Sequence, residues 1–281
     1  MRIISAIVLV LLAVAAFSSA DHGRTEIGPT DTFPIVIGTP GSYVLTADLH
    51  LTDGGTGTAM IEINADNVTL DLGGHVLKGP GENSNGLAVF GEGRTGVTIH
   101  GGSITDFGTG VSFLDGSSGT GVNRFHELVI SNIGWGSGLG FSGGTAHDVV
   151  VTGVSTTNFV SEAVSCSECT LQNVIVRSSY KAFHIRDGSA VNCTATDNEL
   201  GFTLSNASLT GGAANNNSGI GIYAVFRSTL VGVTVSDNGA WGILLESDGG
   251  NNVVNCTGGN NTSGNVSGCG DGNGCHQNYL P

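Results

Sequence analysis

The sequence predicts an all-β chain wound as a single-stranded, right-handed parallel β-helix (a solenoid). Three observations lead there. The first is composition: 281 residues include 47 glycines, yet only 11% are charged and 6% aromatic. Water-facing helices need far more Lys, Glu and Arg than this, whereas Gly, Asn, Ser, Thr and Val suit short strands and turns. The second is a recurring unit of a small residue followed by apolar-x-apolar. It reads Gly86-Leu87-Ala88-Val89, Gly110-Val111-Ser112-Phe113, Ala182-Phe183-His184-Ile185 and Gly201-Phe202-Thr203-Leu204, among others. Its copies follow one another at roughly 18 to 28 residues, the period of a repeat architecture. The third is a second alternating unit that precedes most copies, as in Val149-x-Val151, Val174-x-Val176 and Cys193-x-Ala195, with a last copy at Val254-x-Cys256.

Each element follows from these. Alternation sends every second side chain to one face of a short strand. One coil is too small to bury that face alone. Stacking equivalent strands about 4.8 Å apart joins the apolar side chains into continuous ladders. Nine or so coils are expected. Between the two units an asparagine recurs, at 132, 158, 198, 217, 238 and 260. Asparagine tolerates left-handed turn geometry and can hydrogen-bond its copy in the next coil.

The start of the chain reads differently. Met1-Arg2 is positive, residues 3–17 are almost continuously apolar, and Ser18 and Ala20 are small residues placed for signal-peptidase cleavage. Residues 1–20 are expected to be a secretory signal peptide, and 21–281 one β-helix domain with terminal caps. No second long apolar run follows, so no membrane span is expected after cleavage. The export signal predicts a secreted, periplasmic or cell-surface protein, and a monomer is expected. A net charge of −14 repels phosphates and argues against nucleic acid as a partner, and less strongly against a polyanionic polysaccharide.

Six cysteines would enter an oxidising compartment. Cys193 and Cys256 both point inward about three coils apart, roughly 14 Å at strand spacing, too far to bridge. Cys269 and Cys275 enclose a Gly-rich loop after the last coil and are expected to pair, with Cys256 as the competing partner for either. The pairing of Cys166 and Cys169 stays open. The histidines at 22, 50, 100, 126, 147 and 276 are scattered without ligand spacing, so neither a metal nor another cofactor is expected.

The segment 61–79, IEINADNVTLDLGGHVLKG, resembles the opening coil of secreted bacterial right-handed β-helix proteins of the pectate-lyase-like superfamily. Residues 40–45, PGSYVL, resemble their lead-in strand, and the Gly-Asn-rich tail with paired cysteines also looks like theirs. Gly73 stands where that opening motif commonly has Asn, and His75 is expected to make a turn hydrogen bond. The superfamily includes pectate lyases, polygalacturonases, uronan epimerases and tailspikes. The resemblance therefore implies the fold and an association with polysaccharides, but no single activity. The acidic N-T-D, D-D and G-H-G blocks of the hydrolases, the D-P-H-E block of the epimerases and the R-x-P-x-x-R block of the lyases are all missing here.

One stretch rises above composition. Of nine Lys and Arg, three lie within 177–187: Arg177, Lys181 and Arg186, with Tyr180, His184 and Asp187 between and beside them. Phe183 and Ile185 should point inward, so His184 and Arg186 point outward together. An offset of about 19 residues between coils places Glu162 beside Lys181 and Glu168 beside Asp187. The same offset places Thr203 beside His184 and Glu199 beside Tyr180. His184, Tyr180, Lys181 and Arg186 are the candidate catalytic groups; Arg177, Asp187, Glu162 and Thr203 are the candidate binding groups. In a lyase or epimerase, Arg186 or Lys181 would neutralise a uronate carboxylate while His184 or Tyr180 moved the proton. Three functions fit: a protein that binds a polysaccharide or cell-surface glycan on its lateral face, a polysaccharide lyase, epimerase or hydrolase, and a structural or adhesive protein with no small-molecule site.

Overall fold

The computed structural model describes residues 23–30, 32–53, 58–114, 122–155, 161–247, 249–270, 272–276 and 278. The expected signal peptide and Asn158 lie outside them. The described residues form 29 strands, paired in parallel, in a right-handed solenoid of about eleven turns. No helix among them is long and apolar enough to cross a membrane. The turns beyond the nine expected lie at the start. There Thr25–Ile27 pairs with Gly41–Leu45, and Ile35–Ile37 with Ala59–Ile63. Three-residue strands are too short to announce themselves by alternation.

One turn shows the plan. Lys181–Arg186 lies on the first face, Ser189–Val191 on the second and Thr194–Thr196 on the third, and Leu200–Ser205 begins the next turn. The register stacks Phe183 on Phe202, Ala190 on Leu209 and Ala195 on Ala214. The small-apolar-x-apolar unit is the first face. The second alternating unit mixes two locations. Val68 and Leu70 belong to the second face, whereas Val174 and Val176 belong to the corner and strand of the third. The last copy is shifted by two residues, because Gly258, not Cys256, pairs with Val235. The second face escapes a sequence reading where its strands are three residues long with one inward apolar side chain, as in Ser189–Val191 and Ser208–Thr210.

Each corner of the turn bends through one left-handed residue: Asp187 at φ 51°, Asn192 at φ 53° and Asp197 at φ 58°. Asp and Asn adopt this region at least cost after glycine. The recurring asparagines therefore divide into two roles rather than one. Asn132 and Asn260 sit in left-handed corners, exposed, and each donates its amide to the aspartate stacked on it, Asp106 and Asp237. Asn198, Asn217, Asn238 and Asn261 occupy the next position and are buried. There each side-chain oxygen accepts the backbone N–H of the residue stacked before it, Ser179 for Asn198 and an asparagine for the others, and each amide donates to a core carbonyl. The ladder member in the last of these turns is thus Asn261, not Asn260. The two neighbours were merged by reading the recurrence without the corner geometry.

The core is a column of stacked apolar side chains. Phe113, Phe125 and Phe141 follow one another at 5.6 and 5.0 Å, and Phe183 lies flat on Phe202 at 4.5 Å. Cys269 and Cys275 are bonded, with Cα atoms 5.9 Å apart. The bond ties the Gly-rich loop to Gly274–His276, which stacks on Asn252–Val254. Cys166 and Cys169 are bonded as well, across the corner between the first and second faces. Cys193 and Cys256 are free and fully buried. Burial pushes the Cys193 thiol up to about 11 and raises that of Cys256. At pH 8 the folded protein should therefore show almost no reaction with a thiol-specific disulfide reagent. Denaturation without reductant should release the two thiols. Rapid labelling of either cysteine in the native state would contradict the closed packing of that column.

Candidate functional site

The strand Lys181–Arg186 alternates as its sequence requires. Phe183 and Ile185 are 1% and 0% exposed, while His184 and Arg186 face out. In-register pairing then surrounds them. Ser165 and Thr203 flank His184, Ser167 and Ser205 flank Arg186, and Glu162 lies beside Lys181. Glu162 gathers the cluster. One of its carboxylate oxygens lies 3.5 Å from His184 Nδ1 and 3.9 Å from Lys181 Nζ. The Lys181 ammonium also sits 5.9 Å from the centre of the Tyr180 ring. A cavity of about 210 Å³ opens over His184 and Arg186, lined also by Ser165, Cys166, Ser167 and Leu114. The Cys166–Cys169 bond forms the corner beside it.

Two candidates fall outside this group. Arg177 ends the strand Ile175–Arg177 on the third face, separated from His184 by the corner at Ser178. Asp187 is a corner residue whose carboxylate accepts a 2.6 Å hydrogen bond from Asn206 Nδ2. Glu168 occupies the same left-handed corner one turn earlier. Ser165 and Ser167 were not singled out by sequence, although the same 19-residue offset that reaches Glu162 also reaches them. Leu114 follows a strand three turns before Lys181–Arg186, across coils of unequal length, so no single offset finds it.

No protein-family model matches the sequence, and no curated protein is significantly similar to it. Solved structures do match by shape. The Azotobacter vinelandii mannuronan C-5 epimerase AlgE4 A-module superposes with a TM-score of 0.51 at 14% identity, over 85% of this chain and 86% of that one. The Dettilon tailspike protein superposes with a TM-score of 0.54 at 14% identity, over 90% of this chain and 61% of that one. The chain has the right-handed parallel β-helix fold.

On this β-helix a second cavity, about 670 Å³, lies away from His184, at the corner formed by residues 80–84 with Asp106 and Asn132. Its carboxylates already serve the scaffold. Asp106 accepts from Asn132 Nδ2, and Glu82 accepts from Ser155 Oγ. His75 makes the turn contact expected of it, with Nδ1 3.2 Å from an oxygen of Asp48. That oxygen also accepts the Val76 N–H, and the two hydrogen bonds, the backbone one first, hold the Asp48 carboxyl below the usual range.

Three histidines that look scattered in sequence are not scattered on the second face. The register places His100 on His126 and His126 on His147. Their rings stack nearly parallel, with centres 4.7 and 4.8 Å apart. Burial, then the flanking imidazoles of His100 and His147, lower the pKa of His126. Unequal coil lengths hid this column, because the spacing of its members depends on the long strands Thr98–Phe107 and Asn123–Ile133.

Proposed function

We propose that this is an exported glycan-binding β-helix whose site is the first-face cavity at His184 and Arg186. One observation carries the reading: two outward side chains of one strand, a cation and an imidazole, line a common cavity with the hydroxyls of Ser165 and Ser167. Sugars are recognised by such convergent polar groups around a small apolar patch, here Leu114. Glu162 offsets the charge of Lys181 and orients His184, so Arg186 brings the net positive charge of the cluster. Against the repulsion of a net charge of −14, that cation offers a polysaccharide or surface glycan a local partner for one carboxylate, taken by the planar guanidinium. Mannuronan is the substrate in the name of one structural neighbour, in keeping with this class. The two disulfides and the apolar leader support a secreted, periplasmic or cell-surface setting, with residues 1–20 removed. Proton transfer by His184 or Tyr180, which would make the protein a lyase or epimerase, is the second reading. The Glu162–His184 contact favours it, since a carboxylate commonly orients a working imidazole.

A glycan array probed with the mature protein tests the site, beside an assay for unsaturated-uronate absorbance. His184→Ala and Arg186→Ala should each abolish binding with the melting temperature nearly unchanged, because both side chains are on the surface. If a glycan binds and both variants retain it in full, the site is elsewhere. Absorbance gained with the native protein and lost with His184→Ala would select the enzymatic reading.

A further inference from the structure

We infer that the histidine column on the second face is a binding site for a divalent first-row transition ion, Zn²⁺ or Cu²⁺, held by His100, His126 and Glu127. One potential ligand atom from each of these residues lies within 4.8 Å of the others. A second observation is independent of that clustering. His126 Nδ1 is closed off from water and has no hydrogen-bond partner. Buried polar nitrogens are almost always bonded, and ring stacking does not satisfy an in-plane lone pair or N–H. The nearest acidic oxygen, Glu127 Oε2, is 3.8 Å away, beyond hydrogen-bond reach. An ion between them would satisfy both.

The geometry requires one local adjustment. An ion binds in the plane of an imidazole, about 2.0–2.1 Å from the nitrogen. His100 and His126 are parallel, so their rings must tilt towards each other. Rotation about the last side-chain torsion is soft for histidine, and both side chains are 23% exposed on the outside of the sheet. Glu127 stands at a left-handed corner, φ 53°, with its side chain 66% exposed and free to swing inward. The surroundings suit a ligand set. Asp71 lies 3.7 Å from His100 Nδ1 and is itself held by Arg24 at 2.8 Å. At that distance Asp71 makes no hydrogen bond to His100, but its negative charge favours a cation beside the ring. On the other side, His147 is bound to Asp148 at 3.0 Å. Two imidazole nitrogens and one carboxylate oxygen match Zn²⁺ and Cu²⁺, whereas Ca²⁺ and Mg²⁺ require mostly oxygen. Water completes the coordination, and binding involves no change of oxidation state.

Calorimetric titration of the mature protein with ZnCl₂, and separately with CuCl₂ and CaCl₂, tests this. One saturable equivalent of Zn²⁺ and of Cu²⁺ is expected, with no comparable uptake of Ca²⁺. His126→Ala and Glu127→Gln should each weaken uptake about tenfold or more. Copper-loaded protein should show spin-resonance coupling to two imidazole nitrogens. Should His126→Ala not fold, Glu127→Gln at its exposed corner still decides the matter. The assignment is overturned by no saturable uptake at about 0.1 mM ion, by Ca²⁺ binding as tightly as Zn²⁺, or by uptake indifferent to Glu127→Gln. Glycan binding through His184 is unaffected by any of these outcomes, so the two sites fail or stand separately.

Discussion

Replacing Asn217 with alanine should destabilise the fold by about 3–5 kcal/mol, among the largest effects expected of a single polar side chain. Asn217 is 1% exposed, and its amide group makes four hydrogen bonds. Its oxygen accepts the backbone N–H and side-chain amide of Asn198, both at 3.1 Å. Its nitrogen donates to the Ala195 carbonyl at 3.2 Å and to Asn238 at 2.9 Å. Alanine leaves all these partners inside the stack, where each unsatisfied group costs about 1–3 kcal/mol. Asn216→Ala is the matched control. Asn216 is exposed at φ 54°, and alanine there costs only the left-handed strain of about 1–2 kcal/mol. Urea denaturation of both variants checks the contrast. In a solenoid the loss should also appear as faster amide exchange in the turns holding Asn198 and Asn238. Equal losses for the two variants would mean that the buried row is not the one holding the turns together.

Phe183→Ala should cost a similar amount, about 3–5 kcal/mol, through a different mechanism. The ring is 1% exposed and lies 4.5 Å from Phe202 at an angle of 3°. Truncation removes the buried ring surface and leaves a void that parallel strands on both sides cannot close. Phe202→Ala should be comparable, and the double variant should lose less than the sum, because the ring-to-ring contact is removed only once. A thermodynamic cycle from the same denaturation curves measures this. Strict additivity would show that each ring packs against the rest of the core rather than on its partner.

How much could be read from sequence follows from what each signal depends on. The first face was legible because its strands carry two inward apolar residues behind a small one, as in Ala182-Phe183-His184-Ile185. The second face was largely illegible, because one apolar residue such as Ala190 between two polar ones has no period. The grouping of His184, Arg186 and Glu162 was reachable because the turns from Glu162 to Ser205 have equal length, so a fixed offset is also a register. Arg177 and Asp187 were drawn into that group by closeness in sequence. A corner separates one and occupies the other. The histidine column and Leu114 failed for the converse reason: where coil lengths change, sequence spacing no longer reports which residues stack.

Parallel pairing throughout also gives the molecule a direction. The first and last of the described strands are different surfaces. A strand-to-strand contact between two copies would join the end of one, at Thr257–Gly259, Gly264–Ser267 and Gly274–His276, to the beginning of another. Such a contact has no twofold axis and does not close, so it would propagate as a fibre. The bond between Cys269 and Cys275 fixes the conformation of the end where growth would begin. Loss of that bond alone, by loosening the last coil, would act on self-association before it acted on the stability of the turns beneath.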